Sequence, residues 1–474
     1  MVVGEVAVET DVVVIGGGPG GYAAAIRLGQ LGKAVVLIEK DALGGVCLNR
    51  GCIPSKALIH TANEFHKLPT LRKMGIAVGD KKATIDLGQW QGWKQQIVHQ
   101  LSSGVAHLCE KNGVTVVKGE ATFLSDNRIG VETGGDFETY KFEKAIIATG
   151  SRPLIPSFLQ IDGTYILDST AALELTEVPS TLTIVGGGYI GIEMGMAFAK
   201  LGTDVTIIEM GEQILPQLAS HQAKEVARQA KKMGMTIKPS TKVEKAEIKN
   251  GKVQIEVTSE QKGTEHIESE KVLVTIGRRP NTENIGLDQA GVSIDERGLI
   301  HVDEQCRTNV PHIFAIGDVT PGVALAHRAS KQGIVAAEVI GGIASAVDSP
   351  YIPYVIFSDP QVAGVGLTEA EAKQQGYTVK TGKFPFKANG RALATNETDG
   401  FAEVIVDADT HLLLGMHVVS SDASNLIGEG VLALELAARV EDVAMSIHPH
   451  PTLTEGWLEA AEAALGHAIH IINK

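Results

Sequence analysis

Apolar positions near the start of the chain are ordered as strand, turn, helix and strand. Val12-Val-Val-Ile15 is an unbroken apolar run of strand length, the pattern of a strand buried on both faces. A glycine cluster follows, Gly16-Gly-Gly-Pro-Gly-Gly21, then a helical stretch to Gly29 and a second apolar run, Val35-Val-Leu-Ile-Glu39, that ends on an acid. The pattern returns at an offset of 170 residues, with a strand to Val185, Gly186-Gly-Gly-Tyr-Ile-Gly191, a helix, and Val205-Thr-Ile-Ile-Glu209. Each copy continues into alternating apolar and polar runs, Lys118 to Ala148 and Lys242 to Thr275, broken by Gly134-Gly135 and Asn250-Gly251, which predict antiparallel meanders. Each meander leads to an apolar strand that stops on glycine, Ala145 to Gly150 and Val272 to Gly277.

After Gly277 come the apolar run His312-Ile-Phe-Ala-Ile-Gly-Asp318 and an Ala-rich helical stretch from Ala324 to about Ile343. From Pro350 the texture changes to strands at Glu403–Val406 and Leu412–Val419, with helices over Leu426–Ala438 and Glu455–Leu465. The expected fold is therefore α/β, with two Rossmann-like dinucleotide-binding domains and a C-terminal α+β domain. The expected divisions are 1–150 (first nucleotide-binding domain), 151–276 (second), 277–349 (return to the first) and 350–474 (C-terminal interface domain).

Composition narrows the functional classes. At 474 residues the chain is several times the usual ~150-residue domain. No apolar stretch approaches the ~18 residues of a membrane span. A formal charge of −14 disfavours nucleic acid as a partner. The first basic residue is Arg27, so the N-terminus does not read as a secretory or organellar signal, and a cytoplasmic protein is expected. There are four cysteines, Cys47, Cys52, Cys109 and Cys306, too few for a disulfide-stapled scaffold.

In Gly16-x-Gly18-x-x-Gly21 the first glycine serves a tight turn, the second lets a pyrophosphate approach the backbone, and the third allows close helix–strand packing. Gly186, Gly188 and Gly191 repeat the set, and Glu39 and Glu209 each lie 23 residues after the first glycine, near the interval for an acid that binds a ribose hydroxyl. A single fingerprint can be an empty βα turn; two complete copies at one spacing make that reading poor. No Lys or Arg stands between Lys200 and Lys224 to bind a 2′-phosphate, so the second site favours NAD over NADP.

The cysteine pair stands in Gly44-Gly-Val-Cys47-Leu-Asn-Arg-Gly-Cys52-Ile-Pro-Ser-Lys56, close behind the first acidic strand end. Near a helix start, with Arg50 and Lys56 beside them, these sulfurs suit thiolate and disulfide chemistry. The alternatives are two buried thiols or half a zinc site, but zinc sites commonly use a second ligand pair, which neither Cys109 nor Cys306 supplies, so no metal is expected. Those two cysteines read as inert core residues. A hydride carrier and a disulfide need an intermediary, and a flavin fits. The first unit, next to the cysteines, would then hold FAD and the second NAD. Asp318, with Gly317 before it, could bind a further flavin hydroxyl, though a plain strand-end turn reads equally well. In His448-Pro-His450-Pro-Thr-Leu-Thr-Glu455 the prolines stiffen the segment, and Glu455 could orient His450 as a base.

With these residues assembled, the chain resembles the pyridine nucleotide-disulfide oxidoreductases over essentially its whole length. The resemblance is carried by Gly16–Gly21, Gly45 to Lys56, Ala148-Thr149-Gly150, Gly186–Glu193, Gly277-Arg-Arg-Pro-Asn281, Ala315–Asp318, Phe384–Arg391 and His450-Pro-Thr with Glu455. Arg50 departs from it, standing where many members carry valine. The resemblance implies oxidation of protein-bound dihydrolipoamide with NAD⁺ as acceptor. It gives Cys47 the role of interchange sulfur, Cys52 that of the flavin-side thiolate, and His450 that of a base oriented by Glu455. Lys56 and Glu193 would be an ion pair near the flavin, Lys56 counted with the FAD site and Glu193 with the NAD site. It also implies a homodimer through the C-terminal domain, with His450 supplied across the interface, and lipoyl domains of the acyltransferase component of 2-oxoacid dehydrogenase complexes as partners. The competing readings are an NADH-dependent reductase of another small disulfide and a catalytically silent FAD-binding scaffold.

Overall fold

The computed structural model describes residues 7–77 and 83–473; the outermost limits of the expected first and last domains, 1 and 474, lie outside the described residues. Strand β1 (Ala7–Ile15), helix α1 (Pro19–Gln30) and β2 (Val35–Glu39) make the first βαβ turn. Val12, Val13 and Val14 are fully buried because β1 is a central strand, parallel to its neighbours on both sides. Then follow α2 (Gly45–Arg50), α3 (Cys52–Lys67), α4 (Leu87–Lys111), β3 (Val114–Lys118), β4 (Glu120–Ser125), β5 (Arg128–Thr133) and β6 (Asp136–Ile147). The sheet order is β3-β2-β1-β6-β5-β4, with a later strand beside β6.

The first meander and the apolar strand behind it are one strand. β6 pairs antiparallel with β5 at Lys141↔Arg128 and runs on as the parallel partner of β1 at Ile147↔Ile15. The second unit comprises β7 (Ser151–Pro153), β8 (Ile166–Leu167), α5 (Ser169–Ala172), β9 (Thr181–Val185), α6 (Tyr189–Leu201), β10 (Asp204–Ile208), α7 (Ser220–Lys232) and β11 (Thr236–Lys238). There the meander β12 (Thr241–Lys249), β13 (Lys252–Ser259) and β14 (Gly263–Ser269) is a separate three-stranded sheet, and β15 (Lys271–Val274) alone joins the order β11-β10-β9-β15-β8. Ser269 and Glu270 cause the break: the Ser269 hydroxyl bonds the Lys271 carbonyl at 2.8 Å and Glu270 accepts from the Ser180 N–H and hydroxyl, turning the chain.

β16 (Arg278–Pro280) pairs with β7 and ties the second unit to the first. β17 (Ile313–Ala315) then returns to the first sheet, Ala315 facing Ile147, and α8 (Ala326–Ile340) packs on α1. A side chain at Gly333 would begin 2.3 Å from the Gly20 carbonyl, so the two helices meet backbone to backbone. The last part is a five-stranded antiparallel sheet, order β18-β19-β22-β21-β20. Its elements are β18 (Tyr354–Ile356), β19 (Gln361–Gly366), α9 (Glu369–Gln374), β20 (Val379–Pro385), α10 (Gly390–Thr395), β21 (Phe401–Asp407), β22 (Leu413–Ser420), α11 (Ala423–Glu435), α12 (Val440–Met445) and α13 (Glu455–Leu465). The helix expected over 426–438 starts earlier and ends at Glu435, because Ala437 adopts a left-handed φ of 49°. Trp457 of α13 fills the centre of this domain. No helix of the described residues is long and apolar enough to cross a membrane.

Candidate active site

Both glycine turns have the same local build. At Gly16 (φ 102°) a Cβ would lie 2.3 Å from the Ala148 carbonyl oxygen, and at Gly186 (φ 109°) 2.6 Å from that of Thr275, so only glycine passes the chain this close to the next strand. At Gly21 and Gly191 a Cβ would sit 1.8 and 2.2 Å from the carbonyls of Gly16 and Gly186. The middle glycines differ: around a Cβ at Gly188 there is no atom within 4 Å, and at Gly18 only the Cα of Gly45 at 4.0 Å. That clear space lies at the start of α1 and α6, helices whose first turns carry no side-chain cap, the arrangement that receives a pyrophosphate. Glu39 accepts hydrogen bonds from the N–H groups of Gly17 (2.7 Å) and Asp41 (2.8 Å), and Glu209 from those of Gly187 (2.6 Å) and Gly211 (2.7 Å). Burial pushes the Glu39 carboxyl above its ordinary range against the Gly17 hydrogen bond.

Thr149 and Gly150 are bound to the end of the Gly277–Asn281 segment. The Thr149 hydroxyl donates to the Asn281 carbonyl (2.7 Å), and the Asn281 amide donates to the Thr149 carbonyl (2.9 Å). The Ser151 hydroxyl donates to Asp318 at 2.5 Å and accepts from Arg278 Nε at 2.7 Å, so Asp318 is aimed by a residue of β7 that is itself held from β16. The Gly317 N–H donates to buried Gln332 on α8 at 2.8 Å. The Asp318 carboxylate is thus fixed by two side chains in series, Ser151 and Arg278.

Cys47 lies within α2 and Cys52 opens α3, with Gly51 between the two helices. Both thiols are free in this structure. The neighbouring Cys47 sulfur and the Lys56 ammonium hold the Cys52 thiol below its ordinary range, and the neighbouring Cys52 sulfur with burial drives Cys47 above it. Arg50 has no part in this: its guanidinium pairs with Asp41, and Lys56 is the cation that serves the sulfurs.

Lys56 Nζ stands 2.9 Å from Glu193 Oε2 and 4.4 Å from the centre of the Phe357 ring, and the Phe357 N–H donates to Glu193 Oε1 at 2.8 Å. Glu193, on α6, is buried. Each of its oxygens has one partner, Lys56 on one side and the Phe357 N–H on the other. This junction joins α3, α6 and the segment behind β18.

His450 lies in the irregular stretch between α12 and α13. Its Nδ1 is 2.7 Å from Glu455 Oε1, and its side chain is 79% exposed. Glu455 Oε2 accepts from the Thr452 N–H at 2.9 Å. Despite burial, the bonds from His450 and Thr452 hold the Glu455 carboxyl below its ordinary range. Among the described residues no hydrogen bond or ion pair joins this loop to Cys47 or Cys52. Cys109 and Cys306 are buried, and burial raises both thiols, Cys306 to about 12. Among the described residues no cluster of three or more His, Cys, Asp or Glu could hold a metal ion.

Ser151 and Gln332 were not among the residues the sequence singled out, and Arg278 was named only as part of the Gly277–Asn281 motif, with no role given to it. Ser151 and Arg278 adjoin Gly150 and Gly277, where strands end on glycine, and that adjacency was the available signal. Gln332, in the middle of a plain helix, carried none.

Comparison with known proteins is consistent along the whole chain. The model of the pyridine nucleotide-disulphide oxidoreductase family matches residues 10–333, and that of the family's dimerisation domain matches 352–461. A dihydrolipoyl dehydrogenase from Geobacillus stearothermophilus is 50% identical and one from Bacillus subtilis 47%, each alignment covering all of both chains. Among solved structures, LpdA from Mycobacterium tuberculosis superposes with a TM-score of 0.89 at 26% identity, covering 96% of this chain and 99% of that one. The flavoprotein disulfide reductase RclA from Escherichia coli gives 0.85 at 29%, with 95% and 99% covered. Paired glycine turns, two cysteines on adjoining helices, and matches that span nearly the entire chain lead to one conclusion: the chain belongs to the pyridine nucleotide-disulphide oxidoreductase family.

Proposed function

We propose that the protein is a dihydrolipoyl dehydrogenase, oxidising dihydrolipoamide carried on the lipoyl domains of a 2-oxoacid dehydrogenase complex, with NAD⁺ as acceptor. The observation that carries the reading is the placement of Cys47 and Cys52 on adjoining helices, beside the Lys56–Glu193 ion pair, in a chain similar over its full length to dihydrolipoyl dehydrogenases. In thiol–disulfide exchange the sulfur of lower pKa leaves faster. In the oxidised enzyme the substrate thiol loses its proton to His450 and attacks Cys47; the Cys47–Cys52 bond breaks and Cys52 departs as the thiolate, stabilised by Lys56. The second substrate thiol then displaces Cys47 from the mixed disulfide, which closes the lipoamide ring and returns a proton to Cys47. The substrate is oxidised by two electrons, and the enzyme pair is reduced by two.

FAD would be held by Gly16, Gly18, Gly21, Glu39, Thr149, Gly150, Gly317 and Asp318, with Lys56 beside its ring, and NAD by Gly186, Gly188, Gly191, Glu209 and Gly277. Bound, these groups supply two-electron carriage from the dithiol to nicotinamide. Exposed His450, in a domain matched to a dimerisation model, supports a homodimer in which the base of one chain serves the cysteines of the other.

The test is NAD⁺ reduction by purified holoenzyme with dihydrolipoamide, a lipoylated domain, glutathione and a monothiol as donors. Turnover with dihydrolipoamide and the lipoylated domain alone supports the reading. Preference for glutathione would favour a reductase of another small disulfide, and no turnover with any donor would favour a silent scaffold.

A further inference from the structure

The loop that presents His450 is held mainly by side chains. On one side His448 Nε2 stands 2.8 Å from Glu429 of α11. On the other the Asn389 amide N–H donates to the Thr452 carbonyl at 2.9 Å, while the Thr452 N–H reaches Glu455 and its hydroxyl donates to the Pro449 carbonyl at 2.7 Å. Asn389 is 4% exposed and its remaining oxygen accepts from the Ala392 N–H at 2.9 Å, capping α10. Its own N–H donates to the Phe386 carbonyl at 2.9 Å. The amide can therefore occupy one orientation only: oxygen to α10, nitrogen to Thr452.

We infer that Asn389 is a positioning residue for His450. It fixes Thr452, Thr452 fixes Glu455, and Glu455 holds the ring nitrogen of His450 that does not face the substrate. The chain is three hydrogen bonds long and starts in a buried group. The inference rests on the reading of His450 as the base.

Asn389→Asp separates the two duties of the amide. A carboxylate still accepts from Ala392, so the cap is kept, but it cannot donate to Thr452 and sets an oxygen against the Thr452 carbonyl. Asn389→Ser, a good cap residue too short to reach Thr452, should behave alike and guards against a folding failure peculiar to Asp. In the holoenzyme each variant should lower kcat for dihydrolipoamide oxidation about tenfold, within the range expected when a catalytic group is displaced by about an ångström. KM for dihydrolipoamide should stay within about twofold, and NADH-to-dye electron transfer should be unchanged.

The decisive arm is a double-mutant cycle. Added to His450→Ala, either Asn389 change should cost nothing more, because its effect passes through the missing ring. An unchanged kcat in both single variants, or the same tenfold loss in the His450→Ala background, would overturn the inference. So would a matching fall in NADH-to-dye transfer. A His450→Ala enzyme at full rate would remove the base assignment itself, and the inference with it.

Discussion

Ionisation of Cys52 can be perturbed directly. Its thiol is lowered to about 7, first by the S–H hydrogen bond from Cys47 and then by Lys56, with burial acting the other way. A lowered thiol pKa means that thiolate is present above that value and lost as pH falls through it. At pH 7 about half of Cys52 would be thiolate, against roughly 3% for an ordinary thiol of pKa about 8.5. Cys47→Ala removes the hydrogen bond and leaves Lys56 in place, so the midpoint should rise by about one unit and the thiolate fraction at pH 7 should fall to about one tenth. The assay is iodoacetamide labelling of reduced holoenzyme between about pH 5 and 10, with the Cys52 peptide followed by mass spectrometry; the labelling rate tracks thiolate. A wild-type midpoint at or above that of Cys47→Ala would refute the reasoning, as would faster labelling at Cys47.

Three further outcomes are expected. Cys47→Ser and Cys52→Ser should each abolish dihydrolipoamide turnover while the melting temperature stays within a few degrees, since serine keeps the shape of either side chain, Cys47 being only partly buried against the core and Cys52 exposed; residual turnover above about one part in a thousand in either would exclude a two-sulfur mechanism. kcat/KM for NADH should exceed that for NADPH by at least about tenfold, about 1.4 kcal/mol, because Glu209 opposes a 2′-phosphate; comparable values would remove that role. Gly188→Ala should fold normally but raise KM for NADH about tenfold, since its methyl enters the clear space, whereas Gly21→Ala should fail to retain flavin, its Cβ overlapping the Gly16 carbonyl at 1.8 Å. Thermal melts and NADH titrations separate the two.

How far the sequence could be read depended on whether a feature was local. The glycine turns, the acidic strand ends, α13 and β2 follow from spacing alone, because each is a short-range requirement of backbone geometry or burial. The difference between the two meanders turned on Ser269 and Glu270, whose side-chain bonds to Lys271 and Ser180 decide where a strand stops. Arg50 looked like a partner of the thiols by sequence distance, but Asp41 is where its guanidinium finds a carboxylate. Asp318 stayed ambiguous in sequence because its orientation is set by Ser151, 167 positions away. Asn389 stood inside the Phe384–Arg391 motif, but its role could not be read there for the same reason: its clasp on Thr452 spans 63 positions. Long-range polar contacts of this kind leave no periodic trace.

In the proposed mechanism Cys47 and Cys52 of one chain and His450 of another form one site for thiol–disulfide exchange. The most direct measurement is the activity of an isolated heterodimer made from a Cys52→Ser chain and a His450→Ala chain. One of its sites would carry both defects and the other neither, so dihydrolipoamide oxidation should recover to about half the wild-type rate per dimer, although both parent homodimers lose it. A heterodimer as inactive as its parents would place the base and the disulfide in the same chain and contradict the account.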